Sequence, residues 1–316
     1  MHRLAEWLTA SGSRAFVGAA LLAFFALLLP FGSWLPGALV VLLALQPAAP
    51  LPDWAAALVA GVTLAWWLLL AGAGPVPALL VSAALVAPAL VLGRMLSRGA
   101  SLNLAFQLAT LAALASLVVV HGVLADPPGV WRPVVERLAG ELDRVATVMS
   151  NVGSGRRPQD TNLIEASAAR MWGVVTWLLL LNTMVAVFIG LYWTGRLARV
   201  ARLGPAFRQL KAGRTLAVLA IVVMLLTAVF RFDLAADAAW VFLGAFVLQG
   251  LAVLHAAREA LGLRGAWLGV TYVLLFLPFT TIFVQGALAV FGFIDNWIPL
   301  RERLPASRGG KRNGGP

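Results

Sequence analysis

Uncharged residues run in long blocks along this chain, and its charged residues gather in the gaps between them. No Asp, Glu, Lys or Arg occurs in 15–52, 54–93, 99–125, 171–195, 215–230, 238–257 or 265–294. An α-helix rises about 1.5 Å per residue and bilayer hydrocarbon is about 30 Å thick, so roughly 20 apolar residues cross it. The pattern predicts an all-α fold, a polytopic transmembrane helix bundle.

Turn signals subdivide the blocks. Pro30-Phe31-Gly32-Ser33 breaks the first into segments near 15–31 and 34–47, the second of them short. Gly72-Ala73-Gly74-Pro75 divides the next into 54–71 and 75–93. Segments at 102–124, 171–194, 214–231, 237–257 and 267–292 follow, which makes eight to nine spans. Arg231 is expected to extend its stem to the interface, which lets the short 214–231 segment reach across. The N-terminus resembles a signal peptide through Arg3, Arg14 and the apolar run behind them. It lacks a small-residue cleavage site and the run continues to Gln46, so a span is expected.

One stretch has a different period. Val134, Val135, Leu138, Leu142, Val145 and Met149 recur at helical spacing opposite Glu136, Arg137, Glu141, Asp143 and Arg144. That is an amphipathic helix, placed flat on the outer membrane surface, with capping of the bundle as the alternative. A loop at 153–158 and a second helix from Asp160 or Thr161 lead into the span at 171. The expected organisation is an N-terminal membrane bundle over 1–124, an extracytoplasmic helical insert over 125–170, a C-terminal bundle over 171–294 and a basic tail over 295–316 whose end is disordered by composition.

Composition agrees with a membrane class: hydrophobic residues make up 61% and charged residues 12%, about half the charged share of soluble domains. The formal net charge of +11 sits between apolar runs and at the termini, so it reads as membrane orientation and no specific nucleic-acid binding is expected. Arg196, Arg199, Arg202, Arg208, Lys211 and Arg214 form one loop without an acid, which places that loop in the cytoplasm of a bacterial inner membrane. The connection with Arg94 and Arg98, and the N-terminus, then lie on the same side, and 125–170 lies outside. Nine crossings put the tail outside as well, yet it carries Arg301, Arg303, Arg308, Lys311 and Arg312, so its side is left open.

Candidate chemistry is sparse. There is no cysteine, and His2, His121 and His255 have no second ligand at metal spacing, so no metal, cofactor or catalytic centre is expected. Polar groups inside spans are costly and become the candidates for ligand binding. Asn103, Gln107, Thr110 and His121 share one helical face and would line a cavity, with interhelical hydrogen bonding as the competing account. Thr281 and Gln285 share a face with Pro278, and Asn182 lies mid-membrane. Asp233 and Asp237 beside Arg231 suggest an outer-surface ion-pair cluster or a solvated turn. The basic loop residues Arg196, Arg199, Arg202, Arg208 and Lys211, with Arg301 and Arg303 of the tail, are candidates for contact with lipid or a cytoplasmic partner.

The C-terminal third carries a further signal. Phe246-Val247-Leu248-Gln249-Gly250-Leu251-Ala252-Val253-Leu254-His255 lies in one span, Gly292-Phe293-Ile294-Asp295-Asn296-Trp297 follows the last, and Arg301-Glu302-Arg303 closes it. In these residues the chain resembles the YybS-like family of predicted bacterial multispanning membrane proteins of unknown function. The order of spans, the helical insert and Asn182 ahead of the basic loop are similar as well, so the resemblance covers most of the chain. That family is distantly similar to the substrate-binding S components of energy-coupling-factor vitamin transporters. The similarity implies a part in small-molecule uptake, a cavity near the outer face and a membrane coupling subunit as partner. A scaffold that recruits a cytoplasmic protein through the basic loop and tail is the alternative. Read as residues, Gln249 and Gly250 permit close helix approach and Gln249 joins the ligand candidates. His255 and Glu259 are one turn apart and suggest a pH-sensitive pair or an interfacial contact. Asp295 would cap a short helix while Arg301 and Arg303 face headgroups.

Overall fold

The computed structural model describes residues 12–28, 33–45, 54–69, 74–150, 161–200, 203–230, 232–298 and 300–303. Arg202, Arg231, the expected loop at 153–158 and the end of the tail lie outside the described residues. Among the described residues the chain forms thirteen helices and no strand: α1 (Gly12–Leu28), α2 (Trp34–Ala44), α3 (Trp54–Leu69), α4 (Pro75–Ser97), α5 (Leu102–Val123), α6 (Pro127–Ser150), α7 (Thr161–Ala168), α8 (Met171–Leu197), α9 (Leu203–Arg208), α10 (Arg214–Phe230), α11 (Asp233–Leu261), α12 (Ala266–Phe276) and α13 (Thr281–Ile294). Local chemistry sets several of these ends. Pro75 occupies the first position of α4, where its missing N–H costs nothing. Ser101 caps α5 by accepting a hydrogen bond from the Leu104 N–H at 3.2 Å.

Four of the helices, α4, α5, α8 and α11, are long and apolar enough to cross a bilayer. The core lies between these four and α2. That helix has 11 residues, about 16 Å of rise, too little for a crossing, and Pro36 to Leu43 are all buried. It fills the centre of the bundle because small residues let it in: Gly37 meets Ala186 of α8 and Ala89 of α4, and Gly93 meets Val41. Residues of both halves of the sequence therefore share one apolar cluster, including Leu39 and Val41 of α2, Phe106 of α5, Met184 of α8 and Phe242 of α11.

The chain's course follows from a few contacts. Lys211 bonds to Asn103 and Gln107, so the start of α5 and the basic loop lie at one end. His121 bonds to Asp237, and Arg170 pairs with Asp233 at 3.1 Å, so the end of α5 and the starts of α8 and α11 lie at the other. The insert sits at that far end. The indole N–H of Trp172 donates to the Pro127 carbonyl at 2.9 Å, Trp131 packs on Trp172, and Arg132 pairs with Glu165 at 2.7 Å. The ion pair also raises the Arg132 pKa. Beyond this attachment the apolar stripe Val130, Val134, Leu138 and Leu142 stays exposed, as a helix lying in a membrane interface requires.

The last hydrophobic stretch departs from expectation. It is not one span over 267–292 but two helices, α12 of 11 residues and α13 of 14, separated at Leu277–Thr280. Pro278 lies in the break. Glu259, before this pair, is salt-bridged to the Arg208 side chain, and Arg301, after it, donates to the Arg208 carbonyl. The chain thus returns to the place it left. Tail residues 300–303 lie at the end of the basic loop. A reporter fused after Pro316 and one inserted at residue 201 are therefore expected to give signals from the same compartment. Opposite signals in a fusion and accessibility assay would sink this topology.

Candidate functional site

The segment from Gln209 to Gly213 joins α9 to α10 without regular structure, yet Leu210 and Ala212 are buried. Irregular backbone at the edge of a membrane needs partners for its N–H and C=O groups, because lipid supplies none. Side chains from distant parts of the sequence provide them. The Lys211 N–H donates to Asn103 Oδ1 at 3.0 Å, and Gln107 Nε2 donates to the Lys211 carbonyl at 3.3 Å. The Ala212 N–H donates to Gln249 Oε1 at 2.9 Å and the Gly213 N–H to Asn296 Oδ1 at 2.9 Å. Arg301 donates to the carbonyls of Arg208 at 2.6 Å and Leu210 at 2.7 Å.

The clamp is braced from behind. Gln249 is fully buried and its Nε2 donates to Asp295 Oδ2 at 2.9 Å, while Asp295, 1% exposed, pairs with Arg301 at 3.0 Å. Burial pulls the Arg301 pKa down and the Asp295 carboxylate works against that; an arginine stays charged either way. Asp295 and Arg301 are thus turned into the protein, not toward a helix cap and headgroups. The clamp closes because α13 lies directly on α11. A methyl at Gly250 would meet the Leu288 carbonyl, and one at Gly292 would meet the Phe246 carbonyl.

The polar face of α5 does not line one cavity. Eighteen residues separate Asn103 from His121, about 27 Å along a helix. Asn103 and Gln107 serve the clamp; His121 Nε2 lies 2.8 Å from Asp237 Oδ2 at the far end. Asp237 is fully buried and lies directly against Gly173 of α8, so it belongs to the bundle and not to a solvated turn. Thr110 donates to the Phe106 carbonyl of its own helix at 2.9 Å. Asn182 Oδ1 accepts from Ser33 Oγ at 2.7 Å, tying α8 to the start of α2. Thr281 donates to the Leu275 carbonyl at 2.7 Å and Gln285 to Thr281 at 3.2 Å, so both brace the break between α12 and α13. His255 does not pair with Glu259; its Nδ1 lies 2.8 Å from the Leu251 carbonyl of its own helix.

A cleft opens beside the clamp, between α8, α9, α11 and α12. It is half open, has a volume of about 1600 Å³ and is lined by Tyr192, Arg196, Arg199, Phe207, Arg208, His255, Arg258, Glu259 and Tyr272, among others. Phe207 packs edge-on against Phe188 and His255, each with 5.1 Å between ring centroids, which gives the cleft an aromatic floor. Arg196 stands 5.2 Å over the Tyr192 ring and donates to its hydroxyl at 3.1 Å. Four arginines against one glutamate leave the walls at +3. Of the basic-loop candidates, the cleft gathers Arg196, Arg199 and Arg208, whereas Lys211 is held in the clamp and Arg303 is exposed. Arg258, Tyr272 and Phe207 were not singled out from the sequence. They lie on three different helices, and only the charge of Arg258 at the end of a span was available as a signal.

All of these features define a polytopic helical membrane protein with separate polar clusters toward the two ends of its bundle. The chain belongs to the DUF2232 family of predicted membrane proteins, whose model it matches over residues 19–296. No curated protein and no solved structure matched it.

Proposed function

We propose that the protein is a ligand-binding subunit of a membrane assembly, of the kind that serves small-molecule transport in a bacterial inner membrane, and that its site is the cleft beside the basic loop. The observation that carries this is the cleft itself. It is a half-open cleft whose lining combines aromatic faces with a few charged groups, the mixture by which small-molecule sites bind and orient a ligand. The site expected from the polar face of α5 is not retained, because Asn103, Gln107 and His121 bond to protein groups. The proposed ligand would enter from the end of the basic loop, which by its arginines is the cytoplasmic end, and not from an outer-face cavity as in the S components.

Untargeted mass spectrometry of protein purified in mild detergent tests this. The wild type is expected to carry a small molecule that Arg196→Glu with Arg258→Glu loses. Material that carries nothing, or the same molecule in both forms, would rule the site out. A rigidly clamped basic loop also suits the scaffold alternative. Recovery of a cytoplasmic protein that depends on Arg196 and Arg199, with an empty cleft, would favour that role instead.

A further inference from the structure

We infer that the cleft between α8, α11 and α12 holds an anionic phospholipid, with its phosphate against Arg199 and Arg258 and its acyl chains along α12. This rests on the reading of the cleft as a ligand site and names the ligand class. Three observations carry it.

The first is uncompensated charge. Within the cleft Arg208 is paired with Glu259 and Arg196 is engaged by Tyr192, but neither Arg199 nor Arg258 has a carboxylate within ion-pair distance among the described residues. Both are exposed at the membrane end where a positive pair would meet an anion. Phosphate recognition by guanidinium groups is the chemistry such a pair offers.

The second is the backbone at Arg199. Its φ of 54° is left-handed, and it sits just past the end of α8, where the Val200 N–H closes back on the Gly195 carbonyl at 2.9 Å. Glycine usually fills that position because a side chain is sterically disfavoured there. An arginine kept at such a position is a cost to the fold that a bound anion would offset.

The third is continuity with lipid. Helix α12 forms one wall of the cleft through Tyr272, yet none of its residues is buried. Trp267 is 65% exposed at its start, and Val270 and Val273 are exposed along the outer side of the same helix, so the wall that Tyr272 lends to the cleft carries an apolar surface on its outer side, where acyl chains pack. A water-soluble anion would use the arginines and leave that wall idle. A phospholipid uses both.

The test is native mass spectrometry of the full-length protein in detergent, titrated with dioleoyl phosphatidylglycerol or with dioleoyl phosphatidylcholine, with melting temperature read in parallel. The wild type is expected to retain one phosphatidylglycerol in preference to phosphatidylcholine, and to melt higher with it. Arg199→Gly and Arg258→Gln are each expected to weaken that binding about fivefold, the effect of one basic residue near an anionic headgroup. Without lipid, Arg199→Gly should melt at or above the wild-type temperature, since glycine suits the backbone; a merely structural arginine would give the reverse. Equal retention of the two lipids, unchanged binding by both variants, or displacement of phosphatidylglycerol by millimolar inorganic phosphate would overturn the lipid assignment. A wild type that ignores phosphatidylglycerol but carries a water-soluble molecule lost on Arg258→Gln overturns the lipid and leaves the cleft as the site. One that carries nothing there overturns both.

Discussion

Replacing Gln249 by leucine is expected to lower the stability of the folded protein by on the order of 3 kcal/mol and to release the 208–213 segment from the bundle. Leucine has nearly the volume of glutamine, so no cavity is made and the loss is one of hydrogen bonding. A single polar pair between membrane helices is worth only about 0.6 kcal/mol on average. Gln249 does more than form such a pair. It accepts from the Ala212 N–H, donates to Asp295, and faces the Asn296 amide at 3.3 Å, all at positions with little or no access to water. Removing it strands the Ala212 N–H, at about 1–3 kcal/mol, and takes a further hydrogen bond from the buried Asp295 carboxylate, which among the described residues keeps only Arg301. Gln107→Leu is the milder comparison, about 1 kcal/mol, because it gives up one 3.3 Å bond to a carbonyl. Thermal melting in detergent should order the two variants, and hydrogen exchange should quicken at residues 211–213 in Gln249→Leu. A Gln249→Leu protein that melts with the wild type and keeps those amides protected would show that the clamp does not hold the loop.

Gly250→Ala carries the second large effect, and its sign is informative. In an exposed helix interior alanine is favoured over glycine by about 1 kcal/mol, so propensity predicts stabilisation. Packing predicts the opposite. The new methyl would overlap the Leu288 carbonyl, which is backbone and cannot swing aside, so α13 must move off α11 and take Asp295 and Asn296 out of the clamp. A loss of about 3 kcal/mol is expected, at the upper end for overpacking, because the clamp opens with it. Gly286→Ala is the control: no atom lies within 4 Å of where its methyl would stand, and it should be neutral or slightly stabilising. Melting temperature and the yield of monodisperse protein measure both. Equal behaviour of the two alanine variants would mean that α13 does not lie as close to α11 as described.

Hydropathy found the helices that cross the bundle because lipid imposes one requirement on each of them separately. A helix such as α8 must satisfy its own backbone and present apolar side chains whatever its neighbours are. Its charge-free length therefore shows in the sequence, and so does the basic loop after it. The same measure failed at 265–294 because a broken hairpin and a full span are equally apolar. The Thr280 and Thr281 hydroxyls that hold the break bond to the carbonyls of Leu274 and Leu275, six residues back in each case, at a distance that no helical period would flag.

The polar residues show the other limit. Asn103, Gln107, Gln249 and Arg301 all stood out from the sequence, but as separate candidates for ligands or headgroups. They meet at one loop because α5, α11 and the tail are brought beside it. Asp237 read as part of a surface turn, since four residues after the start of α11 either face is open to it. Burial against Gly173 and the bond to His121 decide otherwise.

By itself the sequence determined the all-helical membrane class, the positions of the long spans and the amphipathic insert, since each follows from local periodicity and the cost of charge in lipid. Only the tertiary structure decided that α2 is a buried plug, that α12 and α13 return the chain to the end it left, and which polar groups face one another. Those outcomes depend on which helices touch. Close approach at Gly250 and Gly292, and unpaired backbone in the 208–213 segment, are properties of two surfaces together, and no single stretch of residues carries them.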